Sequence, residues 1–344
     1  MTVDLRSDTF TRPTPAMRQA IAEAEVGDDV FGEDPTCNRL QAQVAEMLGK
    51  EAGLFVTSGT MGNQVCIKAL TSPGDEVIVE RDSHIFHYEA GAPGILSGVQ
   101  LHTLEGEHGF LSADRIEAAI RPQNVHHAPT RLICLENTHN RAGGTIFPLE
   151  SIEEIRGLAD KHGLRMHLDG ARLWNASVAS GIPLRIWARH FDSVTVCFSK
   201  GLGAPVGSLV AGSKDRIERA LRIRKILGGG MRQAGILAAG ALYAIENHID
   251  RLADDHRRAR RLAEALNGLS SIRIDLDSVQ TNIVFIEIDS DKMTAARAAE
   301  TLAGRGVLVL ALTPTRLRAV THLEIDDTDI DRTIEVFRAV FQDY

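Results

Sequence analysis

Between residues 50 and 200, short apolar runs alternate with glycine-bearing turns and amphipathic stretches. Leu54–Thr57 is a β-prone run ending in Ser58-Gly59-Thr60-Met61-Gly62-Asn63, and the pattern predicts a helix through Cys66–Leu70, stopped by Pro73-Gly74-Asp75. Glu76–Val79 and Val99–Leu104 read as strands. Ser112 to Arg121 reads as a helix: Ser112 can cap it, Ile116 and Ile120 share a face, and Pro122 lies just past its end. Arg131–Glu136 is a buried-type strand, Leu149–His162 a helix closed by Gly163, and Arg165–Asp169 and Asp192–Phe198 are strands. This alternation predicts an α/β domain with a mostly parallel sheet and helices on both faces.

A long helical stretch from Gln233 to Leu266 is expected to link two lobes. Beyond it, Thr281–Ile288, a helix over Lys292–Gly304, Val307–Leu310, Arg316–His322 and a helix near Thr328–Phe341 make a small α+β unit. The expected division is a large domain over residues 1–250, including the N-terminal segment, and a small C-terminal domain over 251–344.

Composition narrows the function classes. The 344 residues are 44% hydrophobic and 24% charged, enough for a packed core. Lys plus Arg is 38 against 46 Asp plus Glu, and a net charge of −8 argues against a protein that tracks nucleic-acid phosphates or an anionic membrane. No apolar run approaches about 18 residues, so no membrane span is expected, and the charged start Met1–Arg6 predicts no secretory leader. Cys37, Cys66, Cys134 and Cys197 form no CxxC pair, which predicts reduced, mostly buried thiols rather than a zinc or redox site.

In open parallel sheets, ligands sit beyond the C-terminal strand ends. Ser58-Gly59-Thr60, Glu136-Asn137, Asp169-Gly170 and Ser199-Lys200 all fall there. Lys200 follows an apolar strand and is flanked by Gly201 and Gly203; it is either a solvated lysine or an amine freed for Schiff-base chemistry by desolvation. Asp169 either caps a turn and pairs with Arg172 or holds a pyridine nitrogen protonated. His167 shares a strand face with Asp169, but no third ligand is evident and no metal is expected. Ser58-Gly59-Thr60-Met61-Gly62 opens a helix and suits a phosphate, though it is neither a Walker loop nor a dinucleotide fingerprint. A phosphate cradle, then a strand-end aspartate, then a lysine is the order expected of a pyridoxal phosphate enzyme of the aspartate-aminotransferase type (fold type I).

The chain resembles the threonine aldolase family, the low-specificity and allo-threonine branch. The matching stretches are Asp4–Thr9, Glu25–Pro35, Ser58-Gly-Thr60, Leu135–Asn140, His167–Arg172, Ser199–Gly203, Gly228–Gln233 and Arg318–His322. The resemblance implies pyridoxal 5′-phosphate as cofactor and cleavage of L-threonine or L-allo-threonine to glycine and acetaldehyde; a β-eliminating lyase is the alternative. It further implies that Lys200 carries the cofactor, Asp169 meets its ring nitrogen, His84 stacks on its ring, and Gly59 and Thr60 contact its phosphate. Ser7, Arg172 and Arg318 match the groups that hold the substrate carboxylate, with Arg172 also counted beside the cofactor and Arg316 a rival two residues away. His84 and His126 are both candidates for the base near the β-hydroxyl, and His126 reads equally well as structural. The resemblance also implies a cytoplasmic homotetramer built from dimers, in which Arg232, with Lys225, reaches the cofactor of a neighbouring subunit. After Asn140 the chain departs from some relatives in a glycine-rich turn, Arg141–Phe147.

Overall fold

The computed structural model describes residues 2–289 and 291–341. Its centre is a seven-stranded sheet in the order Ala52–Val56, Ser208–Gly212, Ser193–Cys197, Arg165–Gly170, Thr130–Glu136, Glu76–Glu80, Gln100–Leu104. Pairing is parallel except on both sides of Ser208–Gly212. Two antiparallel pairings in succession restore the direction of Ala52–Val56, so its C-terminal end lies with those of the parallel strands. The expected α/β architecture is therefore present, with one antiparallel strand that the sequence reading missed. That strand and the helix Lys214–Ile226 after it carry a short apolar run and a highly charged face, a weak periodic signal.

Side chains alternate across the pleat, as strand geometry requires. Ile78, Ile133 and Leu135 join the main core with Trp174, Leu158 and Leu242. Val77, Val79, Leu132 and Cys134 face the other way, onto Ile67 and Ile85. Helix ends follow their local chemistry. Ser58 accepts from Met61 N–H and Ser112 from Arg115 N–H, and Gly163 closes Leu149–His162 in the left-handed region at φ 65°.

The expected single helix over Gln233–Leu266 is two helices, Gly235–Asn247 and Leu252–Leu266. The break falls at His248, whose ring Nδ1 is tied to the Leu202 carbonyl at 2.7 Å, a long-range bond that no local pattern announces. The second helix turns onto a separate core with Ala298, Leu302, Leu317 and Phe337. There Ile283–Ile288 and Arg316–Val320 pair antiparallel, flanked by Leu310–Ala311 and Ile272–Arg273. The helix expected from Lys292 starts at Ala295, because Thr294 caps it by accepting from Arg297 N–H. Val3–Asp4 pairs parallel with Val307–Leu308, so the N-terminal segment, grouped by sequence with the large unit, sends Val3 and Leu5 into this second core. All four cysteines are free and buried. Among the described residues no helix is long and apolar enough to cross a membrane.

Candidate active site

Asp169 ends its strand with its carboxylate buried. Its Oδ1 accepts from Ala171 N–H at 3.1 Å and its Oδ2 from Asn63 Nδ2 at 2.8 Å. Burial alone would favour the neutral acid, but His84, Lys200 and the Asn63 bond outweigh it and hold the group below the usual carboxylate range. Asn63 is itself oriented: its Oδ1 accepts from His167 Nε2 at 3.1 Å, while His167 Nδ1 takes the Ser193 hydroxyl at 2.9 Å. Burial pushes His167 down to about 4, so it stays neutral and is committed to these two bonds rather than to a metal.

His84 opens a short helix after the strand Glu76–Glu80. Its backbone N–H donates to Glu136 Oε2 at 2.7 Å, and Glu136 Oε1 accepts from Asn140 N–H at 2.9 Å. One buried carboxylate at a strand end thus pins both the histidine and the asparagine. His84 Nδ1 lies 3.0 Å from Glu89 Oε1. Burial lowers the affinity of His84 for a proton, but Glu89, Asp169 and Glu136 raise it by more, and the net value lies above the ordinary 6.5.

Lys200 stands three residues past Ser193–Cys197, with Asp8 and Asp169 near enough to feel its charge. Its backbone carbonyl accepts from Thr11 Oγ1 at 3.1 Å and Gly203 N–H at 2.8 Å, while its amine has no hydrogen-bond partner among the described residues. The first turn of the helix Gly59–Leu70 presents the N–H groups of Gly59 and Thr60, which have no intrahelical acceptor. A Cβ on Gly59 would lie 2.8 Å from Cys197 Sγ, so only glycine lets this turn close on the strand that leads to Lys200.

A cavity of about 330 Å³ is lined by Ser7, His84, Tyr88, Lys200 and Arg318, with Arg172 and Asn140 on its wall. Arg172 is forked onto buried Asp8, Nε and Nη2 each donating at 2.8 Å, and that pair holds Asp8 far below its usual value despite burial. Arg318 is different. Nη1 donates to Asn140 Oδ1 at 3.1 Å, Nη2 to the Arg6 carbonyl at 3.2 Å, and buried Nε has no partner. Burial and the adjacent Arg172 cation both press its pKa down. Arg316, the rival, is bonded to Glu287 and lies over the Phe285 ring at 5.0 Å. Ser7 Oγ accepts from Thr9 Oγ1 at 3.0 Å.

Gly59, Thr60 and Asp169 lie at the neighbouring strand ends rather than on this cavity's wall, and His126 and Arg232 are not brought to the site within one subunit. His126 lies in the exposed segment before Thr130–Glu136, at the sheet end opposite Asp169. Exposed Arg232 bonds Asp28 Oδ2 at 3.1 Å. Of the basic residues before its loop, Lys225 is exposed but Arg224 is buried, donating to Asp29 at 2.6 Å and to the Phe55 carbonyl at 2.7 Å. Sequence reasoning singled out no role for Asn63, Glu89, Asp8, Asn140 or Glu136, although Asn63 ends the glycine-rich turn and Asp8 sits one residue past Ser7.

These groups fit pyridoxal phosphate. An ionised aspartate for the ring nitrogen, an unbonded lysine amine for the aldehyde carbon and a helix N-terminus for the phosphate line the same strand ends. The fold and this donor set define the aspartate-aminotransferase-like class of pyridoxal phosphate enzymes. The chain belongs to the β-eliminating lyase family, whose model matches residues 4–289. It is 48% identical over 345 residues to a probable low-specificity L-threonine aldolase of Arabidopsis thaliana, covering 99% of this chain and 97% of that one. It is 41% identical to the low specificity L-threonine aldolase of Escherichia coli K12, covering 98% of each. Among solved structures, the Leishmania major threonine aldolase superposes with a TM-score of 0.85 at 22% identity, over 98% of this chain and 99% of that one.

Proposed function

We propose that the protein uses pyridoxal 5′-phosphate to cleave L-threonine, L-allo-threonine and related β-hydroxy-α-amino acids to glycine and an aldehyde. The observation that carries this reading is Arg318, a partly buried cation with a buried, unpartnered Nε and no acidic partner among the described residues, facing the cavity that also holds the Lys200 amine and His84. An α-carboxylate supplies the missing acceptor, and a guanidinium fork binds its two oxygens at once. Arg172, with most of its fork on Asp8, and the Ser7 hydroxyl complete that wall.

Lys200 Nζ would hold the cofactor's aldehyde carbon, Asp169 its ring nitrogen, and the Gly59 and Thr60 N–H groups its phosphate. When bound, the cofactor supplies an electron sink for the pair released at Cα as the Cα–Cβ bond breaks. His84 lines the cavity from the side of Tyr88 and takes the β-hydroxyl proton, so that the β-carbon leaves as an aldehyde. General-base help of this kind is worth about 10²–10⁴-fold. Asp169, kept ionised by its neighbours, would keep a proton on the cofactor's ring nitrogen.

The same reading carries a cytoplasmic homotetramer built from dimers, with Arg232 and Lys225 serving a neighbouring subunit, and His126 acting only by such an approach. It also carries a division near residue 250 into a cofactor-binding unit and a smaller one. The test is turnover of all four threonine stereoisomers, with glycine and acetaldehyde quantified, followed by borohydride reduction and peptide mapping. Glycine from the L isomers and a pyridoxyl label on Lys200 are expected. The family's description favours one second reading, β-elimination; ammonia and pyruvate from cysteine, without glycine from threonine, would establish it instead.

A further inference from the structure

Glu89 lies outside the cavity, is fully buried, and holds three side chains at once. Its Oε1 accepts from Asn63 Nδ2 at 2.7 Å, its Oε2 from Gln64 Nε2, and its Oε1 also meets His84 Nδ1 at 3.0 Å. The orientation of Asn63 is fixed independently, because its Oδ1 takes the His167 N–H and its Nδ2 faces two carboxylates. Both Glu89 oxygens already accept amide protons, and against the carboxylate form, which can only accept, His84 Nδ1 is the donor in the third contact. In the neutral ring the lone pair is then on Nε2, which has no hydrogen-bond partner among the described residues, on a side chain that lines the cavity.

We propose that Glu89 is a positioning residue that fixes the tautomer of His84, turning the Nε2 lone pair toward the substrate cavity. The logic is that of a base oriented by a buried carboxylate on its far nitrogen. It rests on the cleavage reading only for the use made of that lone pair. Gln64 and Asn63, neighbours on the helix Gly59–Leu70, hold Glu89 in place, so the turn that presents Gly59 and Thr60 also sets the base.

The charged and titratable groups facing His84 are Glu89 and Tyr88 from its own segment, Glu136 and Asp169 from the two neighbouring strand ends, and Lys200. Of the carboxylates, only Glu89 is bonded to the ring, while Glu136 is bonded to the His84 backbone. Replacing Glu89 should consequently move the ring's titration while leaving the other contributions in place.

The experiment uses the holoenzyme labelled with ¹⁵N-histidine, with His84→Asn to assign the signal. Long-range ¹H–¹⁵N spectra should show neutral His84 protonated at Nδ1; protonation at Nε2 would overturn the proposal without any variant at Glu89. In Glu89→Gln, the rate of ethoxyformylation of His84, read by peptide mass spectrometry against pH, should have its midpoint lowered by about one pH unit. The acid limb of threonine cleavage should move down with it, and kcat should fall while KM stays near its original value, because Arg318 still holds the carboxylate. An unmoved midpoint would reduce Glu89 to a packing role. Absence of glycine from threonine with the Nδ1 tautomer present would sink the cleavage reading and leave Glu89 standing. The opposite tautomer in an enzyme that does cleave threonine would sink Glu89 alone.

Discussion

At the scale of single residues, the cavity is decided by which charges are already satisfied. Arg172 and Arg316 each have a carboxylate of their own, Asp8 and Glu287, whereas Arg318 donates only to an amide oxygen and a backbone carbonyl. Two arginines spaced two apart on one strand are equivalent in sequence, and the difference between them is made by chain more than a hundred residues away at Asn140 and Arg6. Arg318→Ala is expected to raise KM for L-threonine and the dissociation constant for glycine by about 10- to 100-fold, the value of a charged hydrogen-bonded contact of about 1.5–3 kcal/mol. The cofactor absorbance should be retained. Arg316→Ala should leave both constants within about a factor of three, since surface-side ion pairs contribute little. Reversal of these two results would move the anchor to Arg316.

At the scale of elements, the helix Gly59–Leu70 joins the proposed phosphate cradle to the proposed ring partner and base. Its Gly59–Thr60 end offers N–H groups, Asn63 bonds Asp169, and Asn63 with Gln64 bonds Glu89. This requires the helix to lie close to the strand Ser193–Cys197. A Cβ on Gly62 would come within 2.6 Å of Thr195 Cγ2, a contact that fully buried Thr195 cannot relieve. Gly62→Ala should therefore cost about 1–3 kcal/mol of stability, read by chemical denaturation, although alanine is the better helix former. Cofactor affinity should fall in the same variant, because the N-terminal turn is displaced. An unchanged or increased stability would show that the helix has room to shift. The sequence placed this turn and its helix correctly, because capping by Ser58 and the stop at Pro73-Gly74 are local. It did not show that Asn63 reaches Asp169, since the pairing depends on how the helix lies across the sheet.

At the scale of the whole molecule, buried and partly buried histidines make stability depend on pH. Burial brings both His167 and His256 down to about 4 from an ordinary 6.5. Between those values the unfolded chain binds protons that the folded chain refuses, so stability falls as pH drops from about 6.5 to about 4. His139 has the opposite sign. Burial works against its proton, but Glu136 and Glu80 raise its pKa above 6.5, so its contribution is complete below 6.5 and is lost as pH rises through the raised value. Urea denaturation at intervals from pH 7 to pH 4 should show the acid decline, and a flat profile there would contradict the neutral burial of His167 and His256. Assembly belongs to this scale as well. Mixing Arg232→Ala with Lys200→Ala subunits should recover activity in hybrid dimers, because one site then holds both residues. No recovery, despite mixed dimers detected by native mass spectrometry, would confine Arg232 to its bond with Asp28.

The sequence by itself determined what depends on near neighbours. Strand–turn–helix units, Ser58, Ser112 and Gly163 at helix ends, and the placing of Asp169 at the end of one apolar strand and Lys200 just beyond another follow from periodicity and local hydrogen bonding. So does the fold class, since alternating strands and helices can bury both faces of a sheet in few ways. The tertiary structure decided the rest, because the deciding partners are far apart in the chain. It inserted Ser208–Gly212 antiparallel beside Ala52–Val56, broke the long helix where His248 meets Leu202, and sent Val3 and Leu5 to the second core. It put His126 at the far end of the sheet and left Arg318 without an acid. Burial makes each of these choices costly to reverse: a buried polar group needs a partner, and only the folded chain determines which residue supplies it.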